Sequence, residues 1–101
     1  MQVDMSEDER GLVLAIQGIL KKPDAMELSN AILAAAQKKP NHLTLDFSEM
    51  PAMSFDSVPF IVSALERARL GKKKVSATGC NSVVERTLRG GGFERIGTFE
   101  K

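Results

Sequence analysis

The sequence predicts a single α/β domain built on a mainly parallel sheet, and three observations carry that expectation. Apolar runs that read as strands alternate with amphipathic stretches that read as helices, in the order β-β-α-β-α-β-α-β. Glycine and proline punctuate the joins, at Gly18, Pro40 and Gly90-Gly91-Gly92. The chain has 101 residues, which leaves little room for a second core, so residues 1–101 are read as one domain. Strands joined through helices call for right-handed crossovers and parallel neighbours.

Each element has its own signal. Gln2 to Ser6 reads as a short strand, and EDERG at 7–11 as a polar turn closed by glycine. The unbroken apolar run LVLAI at 12–16 suits a strand covered on at least one face. Pro23-Asp24 opens a helix with Asp24 as the expected N-cap, and Ala25, Leu28, Ile32 and Ala35 fall on one stripe. Pro40 stops that helix, and Leu43, Leu45 and Phe47 then alternate with Thr44 and Asp46, as a strand requires. Ile61, Ala64, Leu65 and Ala68 recur at helical spacing and predict a second helix ending near Gly71. KVSAT at 74–78 is the next strand. Asn81 or Ser82 caps a third helix that runs through Leu88 and stops at the triple glycine, and a last strand is expected around Arg95 to Phe99.

Composition excludes several function classes. Fourteen basic and thirteen acidic side chains leave a net charge of +1, too little field to hold nucleic acid or an anionic membrane. Tyr and Trp are absent, which removes the usual base-stacking platforms. Cys80 is the single cysteine and His42 the single histidine, so neither an internal disulfide nor a zinc site is expected. His42 is read as a solvated strand-end residue and Cys80 as a small, half-buried side chain without thiolate activation. The triple glycine is followed by Phe93 and Glu94, where a phosphate-binding loop needs Lys and Ser/Thr. Lys72-Lys73-Lys74 is read as a solvated turn. No activated nucleophile emerges, so no catalytic residue, metal or cofactor is expected. MQVDMSEDERG lacks an apolar signal-peptide core and no run reaches membrane-spanning length, so the expected location is the cytoplasm, without membrane insertion.

The stretch MSFDSVPF at 53–60 holds Ser54, Asp56 and Ser57 between apolar residues. Pro59 must fall in the first turn of the following helix, because it has no N–H and its ring clashes with the carbonyl four residues back. That constraint predicts Asp56 or Ser57 as N-cap and argues against Ser54. A cap of this kind contributes about 1 kcal/mol. The same helix end favours negative charge, whether a phosphate on a hydroxyl or a fixed carboxylate.

The sequence resembles the STAS domains, and among them the bacterial anti-sigma factor antagonists, from about Leu12 to Glu100. The resemblance rests on Gly18-Ile19-Leu20 after a strand, LTLDFSEM, AMSFDSV before a helix, Gly71 to Val75, the turn Cys80-Asn81-Ser82, and the closing Gly92 to Ile96. It implies a mostly parallel sheet with helices packed mainly on one face. It also implies a loop, usually D-S-S-G or D-S/T-x-G, whose serine or threonine is phosphorylated by a partner kinase. Aligned without gaps, Ser54 stands at the motif's Asp, Asp56 at the phosphoacceptor and Ser57 at the Gly. A one-residue gap instead matches Asp56-Ser57 to the leading D-S. Three features depart from the family pattern: the aspartate at the acceptor, Lys21 where an acidic residue usually follows G-x-L, and an end at Lys101 before the family's C-terminal helix.

The resemblance implies a non-enzymatic protein-interaction module. Its partner would be an anti-sigma factor or kinase-like regulator, met through Lys21, Met53, Ser54, Phe55, Asp56, Ser57 and Asn81. Two versions stay open: Asp56 is a built-in charge at the phosphoacceptor position, or Ser57, and after it Ser54, is phosphorylated. An accessory subunit of a membrane or lipid transport system is the second reading, and a nucleotide-binding domain the third.

Overall fold

Alternation along β2 (Leu12–Gln17) sets the layering. Leu12, Leu14 and Ile16 are buried while Val13, Ala15 and Gln17 are only partly covered, so one face of the sheet carries the core. The computed structural model describes residues 1–70 and 72–100. Around β2 it places β1 (Gln2–Glu7), α1 (Lys22–Ala36), β3 (His42–Asp46), α2 (Val58–Leu70), β4 (Lys74–Thr78), α3 (Ser82–Gly90) and β5 (Thr98–Glu100). The expected end of the second helix near Gly71 lies outside the described residues.

The five strands lie in chain order, β1-β2-β3-β4-β5. β1 runs antiparallel to β2, and every later pair is parallel, so the sheet is mixed through its first strand alone. Each crossover from β2 to β5 therefore steps in the same direction. Right-handed crossovers with that uniform step put α1, α2 and α3 on the same face of the sheet. Register lines Leu12 with Leu43 and Leu43 with Val75, a continuous apolar row beneath the helices. Ala25, Leu28, Ile32 and Ala35 of α1 and Ile61, Ala64, Leu65 and Ala68 of α2 complete the core, as their spacing predicts.

The other face is polar. Arg10 reaches across it to the Glu100 carboxylate at 2.7 Å and to Thr44 Oγ1 at 3.3 Å. His42 is half-buried with its Nε2 2.8 Å from Ser76 Oγ, so it stands at a strand end but is held there and not simply solvated.

Besides His42, four local expectations need correction. Asp24 does not cap α1. The helix starts at Lys22 with Lys21 as the capping residue, and the Asp24 carboxylate reaches back to accept from the Lys21 backbone N–H at 3.3 Å. Pro23 permits this because a proline inside the first turn removes an N–H that has no helical partner. Lys73 is not solvated: it is buried, and its ammonium donates to the carbonyls of Lys38 (2.6 Å) and Pro40. Those carbonyls follow the end of α1, and the ammonium supplies donors they would otherwise lack. The last strand is shorter than expected, because Phe93–Arg95 form a 3-10 turn around the buried Phe93. The fourth concerns the start of α2 and belongs to the site below.

Gly91 has a packing role besides stopping α3. A Cβ there would lie 2.1 Å from Val58 Cγ1, so the end of α3 touches the start of α2 only because this residue has no side chain. Its φ of −91° is open to any residue, which isolates the contact from backbone strain. Gly91→Ala is expected to lower stability by about 1–3 kcal/mol through overpacking. Thermal unfolding of Gly91→Ala, Val58→Ala and the double variant checks this, and the double should lose less than the two singles together.

Candidate functional site

Three loops leave the carboxyl ends of β2, β3 and β4 side by side, and the chain stitches them together. Gly18 N–H donates to Glu49 O (3.1 Å), Leu20 N–H to Ala52 O (3.2 Å) and Ser54 N–H to Leu20 O (2.8 Å). These bonds include a parallel bridge between Leu20 and Met53, whose side chains are both buried. On the other side, Asn81 Nδ2 donates to Pro51 O at 3.0 Å and to Met50 O at 3.4 Å. Its Oδ1 accepts from Val84 N–H at 2.8 Å, so one side chain caps α3 and tethers the neighbouring loop. Gly79 makes that approach possible: at φ 72° it lies so close to the Ser48 backbone that a Cβ would sit 2.9 Å from it.

The segment before α2 departs from the expected cap. Phe55–Ser57 form a 3-10 turn that leads straight into α2 at Val58, and Ser54 is the residue that begins the turn. Neither Asp56 nor Ser57 caps the helix with its side chain. Ser57 donates its Oγ–H to Ser54 O at 2.6 Å and is fully buried, which leaves its oxygen turned to the preceding carbonyl. The extra tight turn reconciles Ser54 with Pro59. It takes up three residues, so Pro59 still lands in the first turn of α2, where no N–H is needed.

Of the seven residues expected to form a contact surface, Lys21, Ser54, Phe55, Asp56 and Asn81 meet at this end of the sheet with some or all of their surface accessible. Met53 and Ser57 are there too, but as core and turn residues. Ser54 Oγ is buried without a hydrogen-bond partner among the described residues, while Asp56 is exposed at the tip of the turn. Phe55 is 61% exposed, a large apolar side chain standing beside that carboxylate. Sequence reasoning missed that the Phe55 ring lies against Gly90 of α3, and that other large apolar side chains of α2 and the start of α1 are exposed. Phe60, one turn into α2, is 38% exposed and its carbonyl accepts from Ser29 of α1; Ile19 and Met26, flanking the start of α1, are also exposed. The signal was present in Phe55 and Phe60 themselves, which fall outside the Ile61-Ala64-Leu65-Ala68 stripe.

Cys80 lies in the third loop. Burial raises its thiol pKa to about 11, with Glu85 and Asp46 adding to the effect. The described residues hold no group of His, Cys, Asp and Glu arranged to bind a metal. No described helix is long and apolar enough to cross a membrane.

A family model described as "Mlab, STAS domain" matches residues 3–98. The chain belongs to the STAS domain family. Among solved structures, this STAS domain is similar to an anti-sigma factor antagonist from Mycobacterium paratuberculosis, with TM-score 0.81 and 14% identity over 99% of this chain and 86% of that one. It is similar also to the Bacillus anti-sigma factor antagonist SpoIIAA in its unphosphorylated form, with TM-score 0.78 and 12% identity over 99% of this chain and 89% of that one. A third similar structure is the STAS domain of a SulP transporter from Vibrio cholerae, at TM-score 0.63 and 17% identity over 94% and 77%. At these identities the likeness is one of fold. No curated protein sequence gives a match.

The site generates two predictions. Asn81→Ala removes both a cap and a tether, and is expected to cost about 1–2 kcal/mol and to speed amide exchange in residues 50–54. Hydrogen exchange read by mass spectrometry, beside a thermal melt, measures both. The second concerns pH. Folding raises the Cys80 pKa from 9.0 to about 11, so the protonated thiol is the form that folding favours. The stability linked to it is complete below pH 9.0 and is lost as pH rises toward 11. Alkylation of native protein at pH 8 should be at least about tenfold slower than of unfolded protein, since the thiolate is the reactive form.

Proposed function

We infer that this STAS domain is a non-enzymatic regulatory module that binds a protein partner through the three-loop end of its sheet. The partner class is an anti-sigma factor or kinase-like regulator. The observation that carries the reading is the pairing of exposed Phe55 with exposed Asp56 on a turn held by hydrogen bonds from its neighbours. A rigid turn presenting an aromatic ring beside a charge has the character of an interface hot spot, with little conformational entropy to lose on binding. Lys21 and Asn81 lie on the loops bonded to the same segment, and Phe60 and Ile19 are further exposed apolar side chains of the neighbouring elements.

Asp56 stands at the position that the family resemblance assigns to the phosphoacceptor. We read it as a permanent carboxylate there, so that the module is set by its sequence and needs no kinase. Burial of Ser57 favours this version over phosphorylation at Ser57, because a kinase would have to open the turn to reach the hydroxyl. Work in a cytoplasmic signalling pathway that controls transcription fits the same reading.

A second reading is favoured by one observation, the likeness to a transporter's STAS domain. In it the same surface docks a transport component, and the module is an accessory subunit.

One experiment separates these. The full chain is affinity-purified from its own cells, as native protein and as Phe55→Ala and Asp56→Ser, and its partners are identified by mass spectrometry. Loss of a hot-spot phenylalanine should weaken binding by about 2 kcal/mol, roughly 30-fold. The expected outcome is a kinase-like regulator retained by the native chain and lost in Phe55→Ala. Transport components with the same sensitivity support the second reading, and a partner indifferent to both substitutions would remove this surface from consideration. Phosphopeptide mapping of the same samples is expected to find Ser57 unmodified.

A further inference from the structure

The opposite end of the sheet holds a second site. A cleft of about 510 Å³ opens where β4 and β5 begin, between the last turn of α2 and the 3-10 turn before β5. Arg69, Lys72, Lys74 and Arg95 line it, together with Thr98, His42 and Ser76, the last two held to each other at 2.8 Å. Two carboxylates also line it, Glu94 and Glu100, and both are engaged by cations from outside. Glu94 is paired with Arg89 at 2.7 Å and Glu100 with Arg10 at 2.7 Å, and neither arginine lines the cleft. The hydrogen bond from Arg10 holds the Glu100 carboxyl below its ordinary range. The four cations are therefore left without a carboxylate partner in the cleft among the described residues. Lys73 is not one of them, since its ammonium is spent on the carbonyls of Lys38 and Pro40.

The arrangement is built in part. Arg69 donates to the carbonyl of Arg95 at 2.7 Å, which ties the end of α2 to the turn. Val75 and Ile96 supply apolar wall. Cations, the Thr98 hydroxyl and a small apolar wall in a cleft of this volume fit a small molecule better than a flat protein face. Guanidinium groups and lysines recognise phosphate oxygens by charge-assisted hydrogen bonds.

We propose that this cleft binds a small phosphate-bearing molecule, its phosphate oxygens held by Arg69, Lys72, Lys74 and Arg95. The site is separate from the partner surface, which lies at the other ends of the same strands. Inorganic pyrophosphate is the probe. It is titrated into the full chain at low ionic strength, with backbone amide chemical shifts and calorimetry as readouts. Variants are Arg95→Gln and Lys74→Gln, with Lys22→Gln as a control for lost charge alone; melting temperatures establish that each is folded. The expected result is saturable binding, with shifts confined to residues of the cleft. Each cleft variant should weaken it about tenfold, the worth of one charge-assisted hydrogen bond, and Lys22→Gln should leave it unchanged. Absence of saturation, or equal weakening by Lys22→Gln, would overturn the proposal. So would tighter binding of an oligoglutamate peptide than of pyrophosphate, which would make the cleft a protein-docking site.

Discussion

The constraint on which the rest depends is the backbone bridge between Leu20 and Met53. It forms where β2 and β3 have already ended, so it extends the sheet's logic into the loops. Both side chains are buried, and each burial is worth roughly 1.5–3 kcal/mol, so the backbones are held together from below by the core. Once Met53 is fixed, Ser54 N–H must meet Leu20 O, and the chain enters the turn at Phe55 with a set direction. The exposure of Phe55 and Asp56 thus follows from the burial of Leu20 and Met53. A turn presented this way is held in place from its flanks by the core and by backbone hydrogen bonds.

Closure of this end needs small residues as much as bonds. Gly79 lets the loop after β4 lie on the Ser48 backbone, which brings Asn81 within reach of Pro51. Gly91 lets the far end of α3 rest on Val58. The two glycines act at opposite ends of α3, and between them they set where that helix lies against the start of α2. Asn81 then fixes its angle of entry through the cap to Val84. The short helix thereby becomes a brace for the turn that carries Phe55.

Much of this was legible in the sequence. Element order and type followed from period: the helical stripes of α1 and α2 are buried residue for residue, and of the two caps open for α3, Asn81 and Ser82, it is Asn81 that serves. What was not legible depended on tertiary partners. Lys73 stands in a run of three lysines, and nothing local distinguishes the one whose ammonium meets two carbonyls some 35 residues away in sequence. The start of α2 was misread because propensity offers only one first turn, whereas the chain uses a 3-10 turn and then an α turn, and Pro59 is compatible with both schemes. Asp24 was assigned the right job, satisfying an N-terminal N–H, from the wrong position. The seven residues that the family resemblance singles out lie at one end of the sheet. Their division into exposed and buried members required the fold.

The two ends of the sheet are electrically distinct as well as spatially separate. β4 runs from Lys74 in the cationic cleft to Thr78, beyond which lies the loop of Asn81. A five-residue strand spans about 16 Å at ~3.3 Å per residue, about twice the Debye length of ~8 Å at physiological ionic strength. Phosphate in the cleft would therefore exert little direct field on Asp56. Influence between the ends would have to pass through packing, and the path is short. Arg69 sits near the end of α2 and holds the cleft turn by its carbonyl, while Val58 at the start of the same helix meets Gly91 and follows directly on Ser57. One helix thus reaches both places, its start following on the turn of Phe55 and Asp56 and its last turn lining the cleft, so a shift along its axis is the motion by which either end would sense the other.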